Sequence, residues 1–237
     1  MNPAVVAKIM CSVTDDLLWK PRVGWAKKQN PTAALRLRVG SGMKTYVRHK
    51  MDTSKGAQMV LTYGTEMIVS KSDKACLSLW TTGREVSQRG YYNGELSLLN
   101  VLAQTIVHEF GHVVQIILGR RYKGSVHNAE FYQILDRIHS SGEAEKIRNE
   151  LNERCLAFNI DLSQVEASHS IPDDDALSLS EIRTNERLWF KAPKLHAHNP
   201  VLVTKVLRKR IAVKSEYNPK LMWTGPPTAF SKSPTGL

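Results

Sequence analysis

The sequence predicts an α+β protein: a small antiparallel sheet, then a pair of helices, then a basic, β-rich C-terminal tail. Three observations lead there. Apolar and basic residues alternate with period two over residues 35–39, as in a half-buried strand. Apolar residues then recur at three- and four-residue spacing over 95–118, as in a helix. After residue 200, short β-like runs are separated by Asn218-Pro219 and Gly225-Pro226-Pro227. The 237 residues suffice for one sizeable core with an appendage, or two small domains. With 42% hydrophobic and 23% charged residues, the composition is that of a globular chain and not of a disordered one.

Residues 1–30 are amphipathic and read as helix up to the turn signal Asn30-Pro31. Residues 35–39 form the first strand, Gly40-Ser41-Gly42 a turn, and 44–49 its partner strand. Residues 59–63 read as a third strand, 66–70 after Gly64 as a fourth, and 77–81 as a further one. Gly90 to Gly94 marks a loop. In the helix over 95–118, Leu99, Leu102, Ile106, Phe110, Val113 and Ile117 make one stripe. Leu98, Val101 and Val114 widen it until the helix reads as buried nearly all round, and Gly119 supplies the stop. A second helix covers 128–139, with Phe131, Ile134, Leu135 and Ile138 on one face. A third covers 143–158, with Glu150 and Arg154 at pairing distance. Residues 159–184, with Pro172 and the run Asp173 to Asp175, read as an exposed acidic linker. The tail strands fall at 201–206, 211–213 and 221–224.

Charge is unevenly placed. The net +11 divides into +8 over residues 1–60, −5 over 61–184 and +8 over 185–237. Two basic ends around an acidic middle suit a polyanionic partner such as DNA, or are solvated faces. In the tail, Trp189, Phe190, Tyr217 and Trp223 interleave with Lys and Arg; they suit either stacking on single-stranded bases or the core of a small β module. No run of 18 apolar residues is present, so no membrane span is expected. The first residues carry no cleavable signal pattern. Cys11, Cys76 and Cys155 lie far apart without CxxC spacing, which suits a reducing compartment; an intracellular location, cytoplasm or nucleoid/nucleus, is expected.

The chemistry concentrates at His108-Glu109-Phe110-Gly111-His112. Histidines at i and i+4 share one helix face, so both imidazoles reach a single ion. Glu109 stands one position on, able to act as general base without being a ligand. Buried in an apolar helix, two His and a Glu would be costly unless paired or metal-bound. Zinc suits this donor set, and a catalytic zinc needs three protein ligands and an open position. It brings a bound water to a pKa of about 7 and polarises a carbonyl. After Gly119 the basic stretch Arg120-Arg121-Tyr122-Lys123-Gly124 turns the chain, and His127 opens the second helix. Packed antiparallel, that helix returns His127 beside the first.

His108-Glu109-Phe110-Gly111-His112 followed by His127-Asn128-Ala129-Glu130-Phe131 resembles the SprT-like (Spartan) zinc metallopeptidase family over residues 96–138. The resemblance implies a zincin-like core with residues 1–158 as the metallopeptidase domain, 159–184 as linker and 185–237 as a basic segment. It implies His108, His112 and His127 as zinc ligands and Glu109 as catalytic base, with Glu130 and Phe131 shaping the second helix. It also implies hydrolysis of peptide bonds in protein substrates, among them proteins bound or crosslinked to DNA. The chain departs from the family at Asn128, where Gly is common, and carries neither the four-cysteine zinc ribbon nor a visible ubiquitin-binding or partner-docking motif.

Other readings compete. A nucleic-acid-binding or structural protein could retain such a core without proteolysis, although a purely structural site needs no base. Cys76-Leu77-Ser78 ahead of the helix resembles a fragment of peptide deformylase and offers Cys76 as a rival ligand; a buried strand cysteine is the plainer reading. His196 and His198 could bind metal, but too few ligands converge on them. His139 suits the C-terminus of the second helix as a charged cap; His49 and His169 show no partners in the sequence. Tyr63, Tyr91, Tyr92 and Tyr122 are all conceivable as oxyanion donors, and none stands out.

Overall fold

The structure, a computed structural model, describes residues 1–52, 56–121, 125–163, 177–190, 200–208, 210–225 and 227–233. Helix α1 (Pro3–Val13) starts on Pro3 behind the N-cap Asn2, whose Oδ1 accepts from the Ala4 amide at 3.1 Å. A π-helical turn (Thr14–Trp19) and a 3₁₀ turn (Lys20–Arg22) carry the chain into α2 (Val23–Gln29), so the first 29 residues are helical almost throughout, as expected. Strand β1 (Ala34–Gly40) exposes Arg36 and Arg38 and turns Leu35, Leu37 and Val39 inward, as the alternation predicts.

The first sheet differs from expectation in its pairing. Strands β2 (Tyr46–Asp52) and β3 (Gly56–Gly64) are antiparallel, but β3 lies between β1 and β2 and runs parallel to β1. The sheet is therefore mixed, in the order β1-β3-β2, and the strand at 44–49 is not the partner of β1. Gly64 closes the sheet at a point where any Cβ would lie 2.0 Å from the Gly42 carbonyl oxygen.

Neither strand expected after β3 forms: the first is a helix and the second a turn between two helices. Residues 66–70 belong to α3 (Thr65–Lys71), and 77–81 span the end of α4 (Lys74–Leu77) and the start of α5 (Thr81–Arg89). Short apolar runs do not separate the two periods. In α3, Met67, Ile68 and Lys71 fall on one helical face and pack toward α1 and α6, and that burial decides the conformation. Helix α5 passes so close to α4 that a Cβ on Gly83 would lie 1.9 Å from the Leu77 carbonyl oxygen. Cys76 is buried as expected, but in a helix.

Gly90 ends α5 in the left-handed region, and a 3₁₀ turn at Tyr91–Gly94 leads to α6 (Leu98–Ile117). Every α6 residue except Val114 and Ile116 is buried, as the widened stripe predicts. Helix α7 (Ala129–Ser140) packs on α6, and α8 (Glu143–Leu156) packs on α1, α6 and α7. Arg154 and Glu150 pair at 2.6 Å.

A second core gathers the tail. Strands β4 (Arg187–Phe190), β5 (Val201–Val206), β6 (Ile211–Ser215), β7 (Met222–Gly225) and β8 (Phe230–Ser231) form an antiparallel sheet in the order β7-β6-β5-β4-β8. Phe190 packs its ring 5.2 Å from Trp223 and 5.0 Å from Phe230. Of the tail aromatics, Phe190 and Trp223 thus help build the β module, while Tyr217 is exposed. Ile182 is buried in this core with Leu177 and Leu179 against it, so the end of the expected linker belongs to the module. Pro172 and the run at 173–175 lie outside the described residues. No described helix is long and apolar enough to cross a membrane.

Candidate metal centre

Helix α6 places His108, Glu109 and His112 on its inner face, and the chain returns through His127 directly before α7. Asn128 caps α7: its Oδ1 accepts from the Phe131 amide at 2.9 Å, so the residue that departs from Gly serves the helix start. The His127 Nε2 lies 3.2 Å from the Nε2 of His112 and 3.2 Å from that of His108. Among the described residues this is the cluster of three side chains with donor atoms close enough to share an ion.

The backing hydrogen bonds set which nitrogens are bare. Gln115 donates from Nε2 to the Val126 carbonyl at 3.0 Å, so its Oε1 is left for His112 Nδ1 at 2.9 Å and that nitrogen carries the proton. His108 Nδ1 likewise faces the Glu85 carboxylate at 2.9 and 3.0 Å. His112 thus offers an unprotonated Nε2 to the common point, and His108 turns its Nε2 toward the same point. Three ring nitrogens converge there, an arrangement a cation satisfies better than a hydrogen bond does. Desolvation, then the neighbouring His108, pushes His112 down to about 3. The same two causes push His127, which keeps one side open to solvent, down to about 4. Both rings are neutral at neutral pH, the form in which imidazole can bind a metal.

Gly111 is required by the neighbouring helix. A Cβ there would lie 2.8 Å from Leu135 Cδ2 and 3.0 Å from Phe131 Cε2. The Phe131 ring in turn stacks on His112 at 4.5 Å and meets His108 edge-on at 5.0 Å. Glu130 sits in the first turn of α7, 3.8 Å from Arg120.

Glu109 is buried and makes no hydrogen bond among the described residues. Desolvation raises its carboxyl, and the charges of His108, Lys71 and Arg121 hold it down. It lines a cavity of about 300 Å³ with the three histidines, Lys71, Thr82, Thr105, Arg121 and Tyr46. Residues 45–47, at the start of the edge strand β2, form another wall.

Several expectations change here. His139 is not a charged cap: its ring stacks on Tyr91 at 3.7 Å and donates from Nε2 to Gln104 Oε1 at 2.8 Å. Burial pushes it down to about 4, so it is neutral. Gln104 passes the contact on to Glu85 at 2.9 Å, which ties His139 to His108 through two side chains. Cys76 lines a separate cavity of about 270 Å³ with Trp80, Phe190 and Trp223, away from the histidines. Tyr63 is bound to Thr14 at 2.7 Å, Tyr91 donates to Asp136 at 2.6 Å and Tyr92 to the Ala144 carbonyl at 3.4 Å; none lines the histidine cavity. Tyr122, His169, His196 and His198 lie outside the described residues, and His49 lies on β2.

Glu85, Lys71, Gln104, Thr105 and Gln115 are missing from the sequence reading. Gln104, Thr105 and Gln115 carried a usable signal: polar residues in an apolar helix, three or four positions from His108, Glu109 and His112. Glu85 and Lys71 did not, because they come from segments whose helical character was not recognised. Compared with known proteins, the chain matches no family model, no curated protein and no solved structure.

Proposed function

We propose that this chain is a zinc-dependent metallopeptidase with His108, His112 and His127 as ligands and Glu109 as general base. The observation that carries the reading is the convergence of three Nε2 atoms at 3.2 Å spacing about His127, beside a buried carboxylate with no hydrogen-bond partner among the described residues. The donor set fits the ion. Ligands around a tetrahedral zinc with bonds of about 2.0–2.1 Å stand roughly 3.3 Å apart, and the carboxylate–histidine contact from Glu85 is the usual backing for such a ligand. Zinc, when bound, supplies a Lewis acid and makes hydroxide available near neutral pH.

The chain's own residues do the rest. Glu109 takes the proton of the attacking water and returns it to the leaving amine, for which a raised carboxyl is suited. Residues 45–47 offer an edge strand along the cavity, against which an extended peptide can align. HEFGH followed by HNAEF, the pair that resembles the SprT-like family, supports the same reading. With basic segments at both ends, that resemblance favours DNA-bound proteins as substrates. The rival, a nucleic-acid-binding protein with a structural metal, leaves the buried Glu109 beside the histidines without a role.

The deciding experiment is Glu109→Gln. The variant should keep near-stoichiometric zinc while cleavage of casein or of a DNA-binding protein falls about 10²–10⁴-fold, and a chelator should abolish wild-type cleavage. Full activity in Glu109→Gln would refute the assignment.

A further inference from the structure

Inside the same cavity stands a lysine to which the scheme above gives no task. Lys71, the last residue of α3, is 1% exposed. Its Nζ donates to Thr82 Oγ1 of α5 at 2.9 Å and to Thr105 Oγ1 of α6, and it lies 5.0 Å over the Trp80 ring. Thr105 gives its own proton to the Val101 carbonyl at 2.7 Å, so it meets the amine as an acceptor. An ammonium has three N–H donors, and these two hydroxyls use two. Among the described residues no carboxylate lies within ion-pair distance of Lys71. Lys71, both threonines, His108 and Glu109 line one cavity, which is where the remaining donor finds room.

A buried cation without a counter-ion is strongly disfavoured, and methionine would fill the same space without that penalty. Burial pushes the amine down to about 7, and the charges of Glu109 and Glu85 pull it back up. A charge held at such a cost, fixed by two hydroxyls and an aromatic face beside a catalytic base, suits the chemistry better than the packing.

We propose that Lys71 is a catalytic residue that donates a hydrogen bond from Nζ to the carbonyl oxygen of the scissile peptide bond as that oxygen becomes an oxyanion. The inference rests on the peptidase reading above. In the addition step the water oxygen bonds to the carbonyl carbon, the C=O π pair moves onto oxygen, and the water proton passes to Glu109. On collapse the pair returns, the C–N bond breaks with its electrons going to nitrogen, and nitrogen takes the proton from Glu109. Lys71 keeps its protons throughout. Its contribution is electrostatic, from a donor already held in place in a water-poor site.

The test compares zinc-loaded wild-type chain with Lys71→Met and Lys71→Ala by kcat, zinc content, thermal midpoint and affinity for a phosphinic tripeptide, whose anionic tetrahedral centre mimics the intermediate. Lys71→Met should keep its zinc and melt at or above the wild-type temperature, while losing about 10²–10³-fold in kcat and a comparable factor in phosphinic-peptide affinity. Added propylamine should restore part of the activity of Lys71→Ala. A Lys71→Met protein with unchanged kcat, with unchanged phosphinic-peptide affinity, or with a lowered midpoint and lost zinc would overturn the proposal; the last would mark a lysine that merely joins three helices. Should the wild type cleave no peptide at all, the peptidase reading fails by itself, and the binding comparison still decides Lys71: equal affinity in both proteins would refute it.

Discussion

Replacing Gly111 by alanine tests whether α6 and α7 stand at the spacing the three histidines need. The new Cβ would lie 2.8 Å from Leu135 Cδ2 and 3.0 Å from Phe131 Cε2, where carbon atoms in contact prefer about 3.5–4.0 Å. Both neighbours are fully buried, and Phe131 is pressed against His112 on its other side, so neither has an easy retreat. Overpacking of this kind costs about 1–3 kcal/mol. Alanine offsets about 1 kcal/mol of that through its better helix propensity. The balance is a loss of about 0–2 kcal/mol, or a midpoint lowered by up to roughly 8 °C in the zinc-free chain.

The larger effect should appear at the metal. His127 directly precedes the cap of α7, so a retreat of that helix carries its Nε2 away from the other two. A zinc affinity lower by about tenfold, equivalent to ~1.4 kcal/mol, is the expected result. Competition against a chromophoric chelator measures the affinity, and melting in excess chelator measures the fold. A Gly111→Ala protein that gains the full propensity term in stability and binds zinc as tightly as wild type would refute the packing argument.

Other perturbations probe the surrounding shell. Glu85→Gln removes the charge behind His108 and should weaken zinc binding about 10–100-fold with the fold retained, as read by the same competition. His127→Ala should lose most bound zinc, while His139→Ala and Cys76→Ser keep it; a metal-free Cys76→Ser would move the centre toward a cysteine ligand. His139 is held neutral, with its pKa at about 4 against an ordinary 6.5, so the unfolded chain binds a proton that the folded chain refuses between those values. Its contribution is complete above pH 6.5 and lost as pH falls toward 4, a loss of roughly 1–2 kcal/mol once partial solvent screening is allowed for. Zinc-free His139→Gln should show a correspondingly flatter stability–pH curve in denaturant melts, and identical curves would reject this account. If the basic ends track phosphates, single-stranded DNA should bind with an affinity that falls steeply with salt, and salt-insensitive binding would leave them as solvated faces.

Local signals in the sequence determined the parts whose physics is local. The period-two alternation at 35–39 is β1, and the widened apolar stripe is α6, buried at all but two positions. The i, i+4 spacing put His108 and His112 on one face, and the cap residue Asn128 marked where the next helix would bring His127 back. Tertiary structure decided what depends on neighbours distant in the chain. The runs at 66–70 and 77–81 suit strand or helix equally by composition; packing of Met67, Ile68 and Lys71 toward α1 and α6 made the first helical, and the close pass of Gly83 over Leu77 goes with a turn between helices in the second. The parallel pairing of β1 with β3 leaves no trace in either strand's own residues, because register and partner are set by what fills the sheet's two faces. The same holds for the centre. The pairing of His108 with His112 was legible because helix geometry fixes it, whereas Glu85 behind His108 and Lys71 beside Glu109 reach the cavity only through the folding of two helices with no periodic signature, and only their burial together makes their charges matter.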